Sequence, residues 1–306
     1  MPELNNQPGQ IRIGVSPLSW VNEVLQEFGA NTTASQVLSE ASVAGYQGVE
    51  LSRAFPSDAA QLGSLLSQHG QQLASGWYSG FLADRSFEEE CEAVVNHATL
   101  LQTLGASVLV YGECGRMAEN ALDIPMSGRL RLEQSEWPAY CERLSRFAAH
   151  LESRFGLKLV YHYHLMMVAE TLEEVRNLMR STSPDVRLLL DTGHAYAAGF
   201  DYNHLIVEFG ARIDHVHLKD VRPQVLDYVR RDDLTFNNAV RAGMFTIPGD
   251  GVIDFGPVSR FLVDSAYSGW LVVEAEQNPE LFPPLATVTR ANQFVRQHVL
   301  PALHNI

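Results

Sequence analysis

Basic residues are scarce in this chain. Lys and Arg together number 22 against 36 Asp and Glu, and the net charge is −14. A protein that tracks a nucleic-acid duplex needs a basic face to replace phosphate counterions, so this balance argues against a nucleic-acid partner. Cysteine is scarcer still: Cys91, Cys114 and Cys141 are odd in number, widely spaced and without a CxxC pair. That excludes a disulfide framework and a zinc ribbon, and makes a reducing cytosol the simplest compartment. No run approaches the roughly 20 apolar residues of a membrane helix, so no membrane partner is expected. The opening MPELNNQP has no basic region followed by an apolar run, so a secretory signal is not expected, and residues 1–10 read as a flexible segment. There is no GxGxxG or GxxxxGK[ST] phosphate turn, no GxSxG elbow for an acyl-transfer serine, and no HExxH.

Apolar residues make up 46% of the 306, enough for a full-size core. They fall in short β-branched runs, each followed by a helical pattern. The runs are Ile11 to Ser16, Gly48 to Ser52, Gln72 to Trp77, Ser107 to Tyr111, Leu157 to His162, Val186 to Asp191, Ile213 to Leu218 and Trp270 to Glu274. Eight strands separated by helices predict one domain over 11–306, a single (β/α)8 TIM barrel. A doubly wound sheet would advertise a phosphate turn after its first strand, where this chain has Ser16-Pro17-Leu18-Ser19-Trp20. Two connections, Gly112 to Glu136 after strand four and Lys219 to Asp254 after strand seven, are extended. They read as lids or substrate walls over the barrel mouth; the plain alternative is a pair of surface insertions.

Polar residues collect at strand C-termini. Strand five ends in His162-Tyr163-His164, strand six in Asp191-Thr192-Gly193-His194 and strand eight in Glu274-Ala275-Glu276. Strand seven carries His215-Val216-His217, then Lys219-Asp220. Glu50 and Glu113 lie at strands two and four. Side chains alternate along a strand, so His162 and His164 share a face, as do His215 and His217, and Glu274 and Glu276. In a barrel these ends converge, and mixed nitrogen and oxygen donors suit a borderline divalent cation such as Mn, Co, Zn or Fe(II). Each piece alone has a structural reading. A lone His can be a hydrogen-bonded core residue, Asp191 can cap the next helix, and Glu50 and Glu113 can pair with Arg53 and Arg116. The joint placement of four strand ends favours a site. Cys114 reads as an inert thiol rather than a nucleophile. Trp20, Trp77 and Tyr78 could floor a ring or be core aromatics.

Asp191-x-x-His194, His215-x-His217-x-Lys219-Asp220, the turn Pro248-Gly249-Asp250-Gly251 and GWLVVE at 269–274 resemble the sugar-phosphate isomerase/epimerase superfamily, the xylose-isomerase-like TIM barrels. GVSPLSWVN (14–22), GYQGVE (45–50), SGWYSG (75–80), VYGE (110–113), YHYH (161–164), LDTGH (190–194), VHLKDVR (216–222) and VEAEQ (273–277) sharpen the resemblance to the inosose dehydratase family. That resemblance implies a hydro-lyase of myo-inositol catabolism. It would convert 2-keto-myo-inositol, through an enediolate, to a trihydroxycyclohexane-1,2-dione with Mn or Co as cofactor. Related isomerases hold their metal by Glu, Asp, His and Glu from strands five to eight. Asp191, His217 and Glu274 match three of these, and His162 stands where the first Glu would be.

The expected ligands are therefore His162, Asp191, His217 and Glu274, with Glu276 or water as the alternative to His162. Glu113, His164, His194, Lys219 and Glu276 form the unranked pool for base, acid and hydroxyl contacts. Trp20, Asn22, Glu50, Arg53, Trp77 and Arg222 are the expected substrate contacts. An isomerase or epimerase starts with the same proton removal and is the first alternative. A metal-dependent hydrolase is the second, and a non-catalytic polyol sensor ranks last. The partner is a small cyclic polyol ketone. Many barrels of this kind self-associate, so a homo-oligomer stays open, though no surface pattern demonstrates it.

Overall fold

The computed structural model describes residues 10–300, and the segment expected at residues 1–10 lies outside the described residues apart from Gln10. Strands β1 (Ile11–Val15), β2 (Gly48–Glu50), β3 (Gln72–Ser75), β4 (Trp77–Gly80), β5 (Val108–Glu113), β6 (Lys158–His162), β7 (Val186–Asp191) and β8 (Ile213–Leu218) are separated by helices. A short pair, β9 (Asp220–Val221) and β10 (Phe245–Thr246), precedes the last strand, β11 (Gly269–Val273). All but β9 and β10 join one parallel sheet in the order β3-β2-β1-β11-β8-β7-β6-β5-β4.

These nine strands make the eight staves of a barrel. The third stave, expected as one strand, divides at Gly76: β3 pairs with β2, and β4 pairs with β5. The division does not open the barrel. The Ser75 carbonyl accepts from the Leu51 N–H and the Gly76 carbonyl from the Val110 N–H, each at 3.0 Å, so the stave still bonds both neighbours. A Cβ at Gly76 would sit 2.9 Å from Leu101, so the chain passes close under the helix Val95–Thr103 there.

Alternation sorts the side chains. Val15, Val49, Leu73, Leu109, Tyr161, Leu188, Leu218 and Leu271 face outward into the main core beneath the helices. The interior is layered, as a small barrel must be to exclude voids. At the N-terminal end Lys158 and Arg187 pair with Asp214 at 2.9 and 2.8 Å. Above them Trp270, Ala74 and Val272 pack beside Val108, Val110, Val160 and Leu189. Gly48 makes room for the Trp270 ring, since a Cβ there would lie 2.5 Å from it. The layer nearest the C-terminal mouth is polar and carries the site.

The two long connections meet over that mouth. Asn237 donates to Asp123 at 2.8 Å, Ser127 donates to Asp233 at 2.5 Å, and Pro125 bridges Thr235. Phe236, Leu226, Val229 and Phe245 form a second apolar cluster against which Leu122, Ile124 and Met126 pack. The loops are therefore walls with their own small core rather than solvated insertions. Among the described residues no helix is long and apolar enough to cross a membrane.

The Trp270 layer separates the site from the ionic floor. Trp270→Ala is expected to lower unfolding stability by about 3–5 kcal/mol, the usual cost of deleting a buried aromatic, read from denaturant midpoints. An unchanged midpoint would show that this layer carries no packing load.

Candidate metal centre

Four side chains from consecutive staves converge in the mouth. Each of His162, Asp191, His217 and Glu274 is buried, and each offers one donor atom within 4.8 Å of the others. His162 Nε2 lies 3.4 Å from Asp191 Oδ2. His217 Nδ1 lies 3.6 Å from the same oxygen and 2.9 Å from Glu274 Oε2. Asp191 Oδ2 and His217 Nδ1 are both fully buried, and neither has a well-aligned hydrogen-bond partner. Buried polar atoms are rarely left unpaired, and their convergence is the arrangement a divalent cation fits.

The rest of each side chain is committed elsewhere, which aims the donors. His162 Nδ1 faces the Tyr163 carbonyl at 2.7 Å, so it carries the proton and leaves Nε2 as the lone pair. Asp191 serves twice. Its Oδ1 accepts from the His194 N–H at 2.7 Å and caps the helix Thr192–Ala197, while Oδ2 points to the cluster. The cap reading and the ligand reading of this residue therefore hold together. The Tyr163 hydroxyl clamps the Asp191 backbone, donating to its carbonyl at 2.5 Å and accepting from its N–H at 2.9 Å.

Two bulges set the registers. Val49 lies opposite Leu73 but Glu50 opposite Ser75, and Leu188 lies opposite Ile213 but Leu189 opposite His215. Bulges beside a site commonly re-aim side chains. Here they place Glu50 against Ser75, and His217 opposite Asp191.

A second group adjoins the first. His164, His194 and Glu276 also bring donor atoms within 4.8 Å of one another. Lys219 is fully buried among them, with its Nζ 2.5 Å from Glu274, 3.0 Å from Glu276 and 3.0 Å from His194 Nε2. Gly193 leaves space for its stem, because a Cβ there would sit 2.5 Å from the lysine. Burial opposes the charge on Lys219, but Glu274, Glu276 and Asp191 hold it firmly protonated. Burial, then His162 and Lys219, push His164 down to about 3, and burial with His164 and Lys219 lowers His194, so both imidazoles are neutral. Burial raises Glu276 above the ordinary carboxylate value against the pull of Lys219.

A cavity of about 210 Å³ opens onto both groups. Trp77, Phe236, Leu122 and Met117 wall it, and His162, His164, His217, Glu50, Glu274 and Glu276 face it. No Lys or Arg lines it among the described residues. The Trp77 ring lies over Gly112, where a Cβ would be 2.0 Å away. Phe236 and Leu122 come from the two long loops.

Residues 38–298 match the family described as xylose isomerase-like TIM barrel. An inosose dehydratase from Geobacillus thermodenitrificans is 39% identical over 290 residues, 94% of this chain and 97% of that protein. The rhizopine catabolism protein MocC from Rhizobium meliloti is 42% identical over 275 residues, 90% of this chain and 84% of that protein. A solved L-ribulose 3-epimerase shares the fold, with a TM-score of 0.69 at 16% identity, covering 96% of each chain.

The chain belongs to the inosose dehydratase family of xylose isomerase-like TIM barrels.

For this family member the structure rearranges part of the expected site. His162 joins the four-donor cluster, and Glu276, the expected alternative to it, lies with the second group instead. Asn22 and Trp77 line the cavity, and the Asn22 side-chain oxygen is occupied by the N–H groups of Val24 and Leu25. Four expected residues lie elsewhere. Glu113 sits on the outward face of β5, where Tyr111 and Gly115 donate to it at 2.7 and 2.8 Å. Trp20 is a core residue whose indole N–H donates to Glu40 at 2.6 Å. Arg53 binds the carbonyls of Asn22 and Phe28 and so ties down the loop after β1. Arg222 binds the Gly243 carbonyl and Asp250, and fixes the β9–β10 hairpin. Glu50 faces the cavity, but it is engaged by Ser75, His215 and His217 rather than paired with Arg53. Asp220 is also structural: it accepts from Gly249, Gly251 and Ile253 and holds the Pro-Gly-Asp-Gly turn. Phe236, Leu122, Ser75 and Tyr163 were not singled out for the site, because loop path and bulges do not register in a strand pattern.

Burial disfavours a charged His217, but Glu274 and Glu50 hold it protonated well above the ordinary histidine value. A cation must displace that proton, so manganese uptake should release protons and tighten as pH rises, measured by calorimetry in buffers of different ionisation enthalpy. Uptake without proton release would contradict this arrangement. Burial raises Glu113 to about 7 from 4.5, so its stabilising contribution is full below 4.5 and is lost as pH rises through about 7. Glu113→Gln should gain stability relative to wild type across that window in urea midpoints, and parallel pH curves would refute it.

Proposed function

We propose that this chain is a hydro-lyase that removes one water from 2-keto-myo-inositol in myo-inositol catabolism, in the cytosol, with Mn or Co at the four-donor cluster. The observation that carries the reading is that cluster, with a buried Asp191 oxygen that no hydrogen bond satisfies, set beside a separate proton-handling group. The inosose dehydratases that it resembles supply the substrate. A cavity without Lys or Arg among the described residues suits a neutral ring and offers a phosphate no guanidinium or ammonium.

His162, Asp191, His217 and Glu274 would hold the cation, which when bound supplies Lewis acidity to the ketone oxygen. Trp77 and Phe236 press the apolar ring faces, and Leu122 closes the space above. Glu276 faces the cavity and takes the proton from the carbon next to the ketone; burial makes it a stronger base than an exposed carboxylate. The electrons of that C–H bond form an enediolate. As the ketone re-forms, that pair shifts to make the double bond to the next carbon, whose C–O bond breaks with its pair on oxygen; the protonated Glu276 gives its proton to that oxygen, so water leaves. The enol then tautomerises to the dione. Lys219 holds Glu276 in place at 3.0 Å throughout. His164 donates its Nδ1 proton to the Leu165 carbonyl at 2.7 Å, so its Nε2 is an acceptor for a ring hydroxyl.

An epimerase would begin with the same proton removal, so the test reads product. Purified protein with Mn and 2-keto-myo-inositol should develop the ultraviolet absorbance of a conjugated enol or dione. Glu276→Gln should lower kcat by about 10²–10⁴-fold. Interconversion of ketohexoses without that absorbance would replace the dehydratase reading with an epimerase.

A further inference from the structure

Glu50 is a carboxylate buried on a stave that supplies no donor to the cluster. One of its oxygens, Oε1, receives three hydrogen-bonding groups: Ser75 Oγ at 2.6 Å, His215 Nε2 at 3.0 Å and His217 Nε2 at 3.0 Å. They come from two other staves, Ser75 from β3 and both imidazoles from β8. The bulge between β2 and β3 places Ser75 opposite Glu50 in register, and the one between β7 and β8 precedes the run that carries His215 and His217. A feature built by two register shifts is a designed contact rather than an accident of packing.

Its consequence lies in His217. An imidazole can present either nitrogen to a cation, and the hydrogen bond at the other nitrogen decides which. Because Nε2 is spent on Glu50, the nitrogen left for the cluster is Nδ1, which faces Asp191 and Glu274. His215 does not reach the cluster, and its Nδ1 is itself unpartnered. Its contact to Glu50 fixes the carboxylate from below. Rotation of Glu50 toward the cavity would strip both imidazoles of their acceptor.

We propose that Glu50, held by Ser75 and His215, is a positioning residue that commits His217 to bind a divalent cation through Nδ1. This rests on the metal half of the proposed function and is independent of which substrate turns over. It also gives Glu50 a role other than substrate contact.

The test is manganese affinity by calorimetry on the full chain, with the melting temperature of the metal-free protein as a control for folding. Glu50→Ala should bind manganese about 10–100-fold more weakly than wild type, the usual effect of losing such a partner. Glu50→Gln keeps an acceptor oxygen for the His217 Nε2–H and should lose less. Ser75→Ala, which removes one hydroxyl and leaves the β3 backbone pairing in place, should show an intermediate loss. In zinc-loaded protein, nitrogen NMR should find the His217 proton on Nε2. Wild-type affinity in Glu50→Ala, or a proton on Nδ1, would overturn the proposal while leaving the metal centre intact. A wild-type protein that takes up no manganese or zinc would overturn both. Manganese binding with the expected losses but no dehydration of 2-keto-myo-inositol would sink the proposed reaction and leave this inference standing.

Discussion

Four carboxylates, Glu50, Asp191, Glu274 and Glu276, share one buried space with a single ammonium, Lys219. Ionised groups of one sign cannot be crowded in a low-dielectric interior unless positive charge is supplied. Lys219 supplies part of it to Glu274 and Glu276. His217 supplies more by holding a proton between Glu50 and Glu274. The oxygen of Asp191 left with no hydrogen-bonding partner marks where the remaining positive charge belongs. The rest of the mouth is arranged around that imbalance.

The fold meets the demand by giving each side chain a second attachment. Asp191 caps a helix with one oxygen and faces the cluster with the other. His162 spends one nitrogen on a carbonyl, and His217 spends one on Glu50. Lys219 can be buried full length only because residue 193 is glycine, and Trp77 can lie across the mouth only because residue 112 is glycine. Each device orders a donor before any ligand arrives, which lowers the cost of binding and of orienting a substrate. The two long loops then add an apolar roof, so that proton transfers occur away from bulk water.

Much of this is legible in the sequence, for identifiable reasons. Strand alternation is a strict geometric rule, and it placed His162 with His164, His215 with His217, and Glu274 with Glu276 inside the barrel. The same rule explains Glu113. It follows Tyr111 by two residues and shares that residue's outward face, so a carboxylate at a strand end was not enough to put it in the site. Bulges are different, because one extra residue shifts a register without leaving a signature in composition, and the meeting of Glu50 with Ser75 and His217 depends on two of them. The division of the third stave at Gly76 is hidden for the same reason. Arg53, Arg222 and Trp20 lie in or next to loops, where the path of the chain decides what a side chain touches, and each turned to secure its own loop or a neighbouring helix.

On the proposed arrangement His162, Asp191, His217 and Glu274 would grip one cation. A crystal grown with manganese, read by anomalous scattering at the manganese edge, tests it most directly. One strong peak should lie within about 2.0–2.3 Å of His162 Nε2, Asp191 Oδ2, His217 Nδ1 and a Glu274 oxygen, the range expected for nitrogen and oxygen donors. A fully occupied manganese held by other residues, with these four donors left outside its coordination sphere, would contradict it.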